Sequence, residues 1–289
     1  MTVKDSSLSA EEIIPAVDLA MPPPPELPGE VPEAPGRTRF CNRCGSVRDP
    51  ESTECPNCDR NAAAVSAADE QYHTDVRSIR SSLWLYFALL TLSAVFIVWQ
   101  MVTGDKGSLV TELVSSGAFS LVVLCRCAPS LGMIFNLLKT RFHPVWILVA
   151  ICTAIPTYLL ASSVVDFLVY LGVERLDYLD TFSNDGFGFS LAVIAICLQP
   201  AIFEELAFRG IIQGSLSRVL GDREALIVSA LMFGILHLSI PSLPHLLVLG
   251  LILGWLRLRT KSLLPGMALH FTHNFLVILS EKAGGLSPW

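Results

Sequence analysis

Long apolar segments alternate with short polar ones from residue 83 almost to the end of the chain. Each apolar segment is close to the roughly 20 residues that a helix needs to cross the hydrocarbon core of a bilayer. We therefore expect an all-α fold, a polytopic transmembrane bundle of about seven helices. The predicted spans are residues 83–103, 109–136, 145–171, 187–208, 224–240, 243–258 and 263–280.

Arginine and lysine residues fall in alternate loops between these spans. The sets are Arg77 and Arg80, Lys139 and Arg141, Arg218 and Arg223, and Arg257, Arg259 and Lys261. Basic residues are enriched in cytoplasmic loops, so this alternation predicts a cytoplasmic N-terminus and an extracytoplasmic C-terminus. The acidic loop from Val173 to Gly186 then lies outside. We expect an integral protein of the plasma (inner) membrane.

Composition supports a membrane protein and shows where the net charge lies. Hydrophobic residues make up 52% of the chain and charged residues 16%, whereas soluble domains have about 25% charged residues. Residues 1–80 hold 14 acidic and 8 basic side chains, which accounts for the whole net charge of −6. The expected surroundings are a lipid bilayer, and no nucleic-acid partner is expected.

The first 36 residues are rich in proline and acidic residues, including a run from Pro22 to Pro25. Such a segment cannot bury enough apolar surface to fold, so it is predicted to be a disordered tail. Met1 is not followed by a basic region and an apolar region, so no cleaved signal peptide is expected. Residues 63–82 are predicted to be a linker to the transmembrane domain, residues 83–282.

Two Cys-x-x-Cys motifs, Cys41–Cys44 and Cys55–Cys58, are separated by ten residues. This spacing is typical of a structural zinc ribbon, here residues 37–62, in which four thiolates surround one ion. Two disulfides or four free thiols are the alternative, although a cytoplasmic compartment keeps thiols reduced. A zinc ion with four protein ligands has no position for chemistry. The ribbon is therefore expected to recruit a protein partner or to act as a sensor.

Glu204 and Glu205 are adjacent within a long apolar region. A charge at the centre of a membrane helix costs at least about 2.5–3.5 kcal/mol, so this pair marks a functional site. On an α-helix Glu205 and Arg209 lie about 40° apart, whereas Glu204 lies about 140° from Arg209. Glu205 is therefore predicted to be the ion-paired carboxylate, and Glu204 to be free to act as a general base.

Two later spans carry polar residues that can meet Glu204. Glu204 is seventeen residues before Gly221 and His237 is sixteen residues after it, so an antiparallel hairpin places them at nearly the same depth. In the last span His270 and Asn274 are four residues apart and share a helix face. The predicted catalytic set is Glu204, His237, His270 and Asn274, supported by Glu205 and Arg209.

Such a set can hydrolyse a peptide bond. A carboxylate and an imidazole can deprotonate water, and an imidazole and an amide can stabilise an oxyanion. Alternatively, Glu204, His237 and His270 can hold a divalent metal whose bound water is the nucleophile. A buried network that only joins helices and a proton relay in a transporter are further alternatives.

Three motifs, taken in this order along the chain, resemble those of one known family. They are Glu204-Glu205-x-x-x-Arg209, Phe233-x-x-x-His237 and His270-x-x-x-Asn274. They are similar to motifs of the CPBP family, the CAAX protease and bacteriocin-processing or Abi family, which includes type II CAAX prenyl endopeptidases. The resemblance covers residues 185–282, and the N-terminal ribbon is an addition to it.

The resemblance implies an intramembrane endopeptidase. It implies that Glu204 is the catalytic base, that His237 is its partner or a metal ligand, and that His270 and Asn274 bind the oxyanion or a metal. The expected substrate is a peptide or membrane protein that is membrane-associated, prenylated at a CAAX tail, or bacteriocin-like. The alternative is a non-catalytic membrane scaffold or bacteriocin-immunity protein that recruits a partner through the zinc ribbon.

The predicted orientation can be tested by labelling introduced cysteines in otherwise cysteine-free membrane segments. We expect Asp180→Cys, in the acidic loop, to react with a membrane-impermeant reagent from outside, and Arg223→Cys to react from the cytoplasmic side. The physical reason is the distribution of basic residues between loops. Labelling of Asp180→Cys from the cytoplasmic side alone would contradict this topology.

Overall fold

The computed structural model describes residues 39–42, 44–48, 55–105, 108–173, 179, 182 and 188–284. The chain divides into two compact units, Met1–Val65 and Ser66–Trp289. The predicted disordered tail, residues 1–36, lies outside the described residues. Most of the acidic loop from Val173 to Gly186 does as well, so the predicted orientation stays a prediction.

A small β-hairpin organises the N-terminal unit. Strand β1 (Arg39–Phe40) pairs antiparallel with β2 (Val47–Arg48). Within the turn, the Cys41 N–H donates to the Ser46 carbonyl at 2.9 Å and the Gly45 N–H donates to the Cys41 carbonyl at 2.8 Å. Gly45 has a φ of +72°, a left-handed conformation that glycine adopts without steric cost. The hairpin therefore brings its two cysteines to one end.

Eight helices follow in chain order within the described residues, and they confirm the predicted all-α helical bundle. They are α1 (Pro56–Thr103), α2 (Leu109–Cys127), α3 (Leu131–Lys139), α4 (Val145–Tyr170), α5 (Gly188–Leu220), α6 (Asp222–Leu236), α7 (Leu243–Thr260) and α8 (Leu264–Lys282). A 3₁₀ turn, Ala128–Ser130, separates α2 from α3 and contains Pro129. The predicted linker, residues 63–82, lies within α1 and is helical.

Five helical segments in the described part of the chain are long and apolar enough to cross a membrane. They are Val65–Thr103, Leu109–Lys139, Val145–Tyr170, Gly188–Leu220 and Leu243–Thr260. The other two predicted spans form α6 and α8. Helix α6 has only 15 residues, and α8 carries two histidines and an asparagine that lower its hydropathy. The protein is an integral membrane protein, and spanning by α6 and α8 stays a prediction.

Helix α5 is irregular on both sides of the two glutamates. Its segments Val193–Leu198 and Leu206–Ile212 are π-helical, and Gln199–Glu205 between them is α-helical. Such π-helical turns are rare and occur frequently at functional sites. Every residue of Leu206–Ile212 is buried. The regular 100° helical wheel assumed for the sequence therefore does not describe the chain beyond Glu205.

The bundle packs its functional helices closely together. Helix α8 contacts α4, α5 and α7, and α6 contacts α5 and α7. Phe208, Phe233, Leu253 and Leu269 are fully buried in the shared core. Helices α6 and α7 approach each other closely at Gly250. A Cβ built on Gly250 would lie 3.1 Å from both Cα and Cβ of Ala230. Small residues allow membrane helices to approach in this way.

We expect Gly250→Ala to lower the free energy of unfolding by about 1–3 kcal/mol, the usual cost of overpacking a core. The added methyl group meets the backbone of Ala230, which cannot move aside as a flexible side chain can. Thermal unfolding in detergent measures the effect. Gly214→Ala in α5 is the matched control, since no heavy atom lies within 4 Å of its added Cβ. Equal stability of the two variants would contradict the proposed packing constraint.

Candidate active site

Glu205 lies at the centre of a buried charged cluster. Its side chain is 0% exposed, and its Oε1 accepts a hydrogen bond from Arg209 Nη1 at 3.0 Å. Arg209 is 1% exposed, and its Nη2 donates to the Gly250 carbonyl at 3.2 Å. The guanidinium also lies 4.5 Å from the centre of the Phe233 ring. Both charges are therefore compensated, as burial in a low dielectric requires.

The main chain of α8 also approaches Glu205 closely. The second carboxylate oxygen of Glu205, Oε2, is buried and has no hydrogen-bond partner in the described structure. A Cβ built on Gly266 would lie 3.0 Å from this oxygen. The absence of a side chain at Gly266 therefore makes room for the carboxylate between α5 and α8.

His270 lies between the two glutamates. Its side chain is 4% exposed, its Nδ1 is 3.1 Å from Glu205 Oε1, and its Nε2 is 3.8 Å from Glu204 Oε2. Because Glu205 Oε1 accepts from Arg209 in an ion pair, we assign the Nδ1–H group of His270 as the donor in this contact. One imidazole thus connects the ion-paired carboxylate with the neighbouring one.

Glu204 faces a cleft that opens between α1, α2 and α5. Its side chain is 16% exposed, yet its Oε2 is buried and accepts no hydrogen bond from the described residues. The cleft has a volume of about 250 Å³. Polar residues on its walls are Ser93, Gln100, Glu112, Ser115, Ser116 and Gln199. Glu204 is therefore the member of the pair that a molecule in the cleft can reach.

His237 lies at the end of the helix that follows α5. It caps the C-terminal end of α6 and is exposed. Its Nδ1 donates to the Phe233 carbonyl at 2.9 Å, which leaves Nε2 as the acceptor of the neutral ring. No hydrogen bond or ion pair between His237 and Glu204 is present in the described residues. The sequence predicts only that the two residues lie at nearly the same depth, and that placement stays a prediction.

The Phe233 ring lies between the two site histidines. Its centroid is 5.0 Å from that of His237 and 5.9 Å from that of His270, with edge-to-face geometry in both cases. Leu238, which directly follows His237, has a φ of +51°. Residues other than glycine rarely adopt this conformation, and it is found where the surrounding structure enforces it.

Asn274 anchors α8 to the first π-helical segment of α5. Its Nδ2 donates to the Ile196 carbonyl at 2.9 Å. The primary amide has a second N–H that this bond leaves available. The neighbouring His273 points elsewhere, since its Nδ1 lies 3.0 Å from Thr157 Oγ1 in α4. His273 therefore joins α8 to α4, and no hydrogen bond or ion pair between it and either glutamate is found in the described residues.

The four ribbon cysteines form a group that can hold a metal ion. Their Sγ atoms all lie within 4.8 Å of one another, with 3.6 Å between Cys41 and Cys58 and between Cys44 and Cys55. Sulfur ligands at about 2.3 Å from a tetrahedral zinc lie about 3.8 Å apart, whereas disulfide sulfurs lie about 2.05 Å apart. The spacing fits the metal ligands and does not fit the disulfide alternative.

The charges of these thiols also favour a bound cation. A hydrogen bond with the Ser46 hydroxyl lowers the pKa of Cys44 to about 6. The pKa of Cys58 is raised to about 12, chiefly by its hydrogen bond with Cys44. Four thiolates cannot form side by side without a compensating positive charge, and metal binding supplies it as the thiols lose their protons.

No second group of this kind is found elsewhere among the described residues. Among those residues, only the four cysteines bring three or more His, Cys, Asp or Glu ligand atoms close together. Glu204, His237 and His270, the predicted ligands of a catalytic metal, are not gathered in this way. The geometry thus brings together Glu204 and His270 and leaves His237 apart from them.

All three motifs of the candidate site fall within one segment of known type. Residues 186–276 match a family model described as type II CAAX prenyl endopeptidase Rce1-like. This segment is similar to that family. The match confirms the resemblance predicted from the motifs and supports a CAAX-type intramembrane protease. Comparisons with curated proteins and with solved structures gave no significant match.

Several positions within the Rce1-like segment support the site without having been predicted. Gln213 Nε2 donates to the Gly254 carbonyl at 3.1 Å, one helical turn after the contact between Arg209 and Gly250. Two side chains of α5 thus hold two glycine carbonyls of α7. The Gly-x-x-x-Gly pattern in α7 was the sequence signal, because it indicates close helix packing.

Glu112 lies outside the Rce1-like segment and was also missed. It belongs to α2 and lines the same cleft as Glu204. A carboxylate within a predicted span is rare enough to mark a functional region. That signal was present in the sequence, but it lies far from the three motifs.

Proposed function

We propose that this protein is an intramembrane endopeptidase that hydrolyses a peptide bond in a membrane-associated, CAAX-type substrate. The proposed nucleophile is a water activated by Glu204 and His270. One observation carries the proposal: the buried, unpartnered Oε2 of Glu204 faces His270 Nε2 at 3.8 Å, beside an accessible cleft. The match of residues 186–276 supports the substrate class.

The contacts of the two glutamates favour different roles for them. Glu205 Oε1 already interacts with Arg209 and His270. Holding these two side chains in place does not require Glu205 to be reached by water. Removing a proton from water requires a carboxylate that water can reach and whose lone pair is free. Glu204 satisfies both conditions, so it is the general base and Glu205 positions His270.

Hydrogen-bond accounting supports a water between Glu204 and His270. Because the Nδ1–H of His270 donates to Glu205, its Nε2 presents a lone pair toward Glu204. Two facing acceptors cannot bond to each other, whereas one water can donate a proton to each. Such a water has both of its O–H groups held, and its oxygen lone pair is directed toward an incoming carbonyl carbon.

The residues of the site can account for every proton transfer in the proposed reaction. Glu204 takes one proton as the water oxygen bonds to the carbonyl carbon, and the remaining N–H of Asn274 stabilises the oxyanion. Glu204 returns the proton to the amide nitrogen as the C–N bond breaks, which gives a carboxylic acid and an amine. We assign His237, which is exposed at the C-terminal end of α6, to binding the substrate.

We also infer that Cys41, Cys44, Cys55 and Cys58 hold one structural zinc ion. The tetrahedral spacing of their sulfurs and the cation needed by neighbouring thiolates support zinc at this position. The ribbon then serves to recruit or sense a partner on the cytoplasmic side of the plasma membrane. The alternative function, a non-catalytic scaffold or immunity protein, would use the ribbon in the same way without any turnover.

The two glutamate variants are expected to fail in different ways. Glu204→Gln should leave the bundle stable and lower turnover by about 10²- to 10⁴-fold, the usual contribution of a general base. Glu205→Gln should lower stability by about 3–5 kcal/mol, because Arg209 loses its buried partner. Cleavage of a fluorogenic farnesylated CAAX peptide and thermal unfolding, both in nanodiscs, measure these effects.

Asp166→Asn is the matched control, since this carboxylate lies in α4 and does not line the cleft. It should retain turnover. An active Glu204→Gln variant together with a stable but inactive Glu205→Gln variant would contradict the assigned roles. Biological activity that survives in Glu204→Gln would favour the scaffold function instead.

Metal analysis of the full-length protein tests the zinc proposal. We expect one zinc per chain, and its loss in Cys44→Ser and Cys55→Ser, because each variant removes one of four ligands. Unfolding of the transmembrane unit should be unchanged. Cys152→Ser, at an exposed position of α4, is the control and should keep the metal. Purified wild-type protein without stoichiometric zinc would overturn the proposal.

A further inference from the structure

A second cavity, distinct from the Glu204 cleft, lies where α1, α2, α3 and α5 meet. Its volume is about 350 Å³. Its polar lining residues are Ser78, Arg126, Ser130, Ser215 and Arg218, and no carboxylate lines it. The walls therefore combine two guanidinium groups with three hydroxyl groups. This composition is unrelated to the peptidase chemistry proposed above.

Arg126 presents part of its charge to this cavity without a protein partner. Its Nη1 donates to Ser130 Oγ at 3.2 Å, and its Nε is buried with no hydrogen-bond partner in the described structure. No described acidic residue forms a salt bridge with Arg126. An arginine inside a predicted span is costly unless a negative or polar group compensates it. Its unmet N–H group therefore indicates an acceptor that the protein does not supply.

A hydroxyl group of the cavity also has donor capacity to spare. Ser130 Oγ accepts from Arg126 Nη1, and no acceptor for its own proton is found in the described residues. Ser215 differs, because its Oγ accepts from Ser78 Oγ at 3.0 Å and lies 2.7 Å from Ser82 Oγ, whose single proton is also shared with the Ser78 carbonyl. The Ser215 proton can therefore be taken up by Ser82. Since each hydroxyl carries one donor, Ser130 can donate to a group in the cavity.

Arg218 provides the second positive charge at the open side. It donates to Ser78 Oγ, and its Nε lies 3.7 Å from Asp75 Oδ1. Its side chain is 46% exposed, so this ion pair is weak and a stronger anion can share the guanidinium. The basic end of α5 that contains Arg218 is also the end predicted to face the cytoplasm.

We propose that this cavity binds the phosphate group of an anionic phospholipid from the cytoplasmic leaflet. Planar guanidinium groups and hydroxyl donors are the preferred partners of phosphate oxygens. Exposed apolar side chains at Leu131, Met133 and Phe135 follow Ser130 directly in α3, where acyl chains would lie. These apolar neighbours favour a lipid over a soluble phosphate. The anionic lipids of the cytoplasmic leaflet also attract basic side chains.

Ligand-dependent thermal unfolding of the full-length protein tests this site. In phosphatidylcholine nanodiscs, adding the anionic lipid phosphatidylglycerol should raise the Tm of the wild type. The increase should be lost in Arg126→Gln and in Arg218→Gln, with binding weakened about ten- to hundredfold by loss of a charge-assisted hydrogen bond. Each variant is compared with itself in phosphatidylcholine, so altered basal stability does not affect the result.

Arg223→Gln is the matched control, because Arg223 is exposed at the start of α6 and does not line the cavity. It should keep the increase in Tm. Protection of the wild type by inorganic phosphate in detergent, again lost in the two cavity variants, would retain the phosphate site and assign it to a soluble ligand. An equal response to phosphatidylglycerol in all four proteins would overturn the proposal.

Discussion

The buried ion pair between Glu205 and Arg209 is the interaction on which the rest of the site depends. A carboxylate and a guanidinium enclosed by helices are stable only if each is fully compensated. That requirement brings His270 to Glu205 and the Gly250 carbonyl to Arg209. It therefore fixes α7 and α8 against α5. The glycines at 250 and 266 are the structural condition for this approach, because they allow backbones to come within reach of the charges.

The same constraint explains how adjacent glutamates acquire different environments. The carboxylate of Glu205 forms a buried ion pair with Arg209 inside the bundle. Glu204 faces a cleft between α1, α2 and α5. His270 connects the two, so the orientation of its ring is set by the buried pair and presented to the accessible one. The proton transfer proposed for Glu204 requires its partner groups to be held in a fixed geometry, and the buried ion pair holds His270 in this way.

Much of this architecture could be predicted from the sequence, and the exceptions have physical causes. Hydropathy located the apolar part of each described helical segment, and the i,i+4 spacing of Glu205 and Arg209 anticipated their contact. It did not reveal that residues 63–82 are helical or that a 3₁₀ turn separates α2 from α3. Regular periodicity could not reveal the π-helical segments around Glu204, since hydrogen-bond shifts leave no hydrophobic pattern. The common depth predicted for Glu204 and His237 rests on residue counting along a regular helix, and α5 is not regular. Gly250 and Gly266 contribute because they have no side chain, which allows neighbouring helices and the Glu205 carboxylate to come close. Reactive side-chain motifs in the sequence do not indicate such positions.

The central claim is that Glu204 and His270 act on one water as a unit, and a double-mutant cycle on turnover tests it most directly. Residues that work together are non-additive, so removing the second costs little once the first is gone. The account predicts that Glu204→Gln/His270→Ala is no slower than the slower single variant, with all proteins folded. Losses that multiply across the two positions would show independent roles and contradict the account.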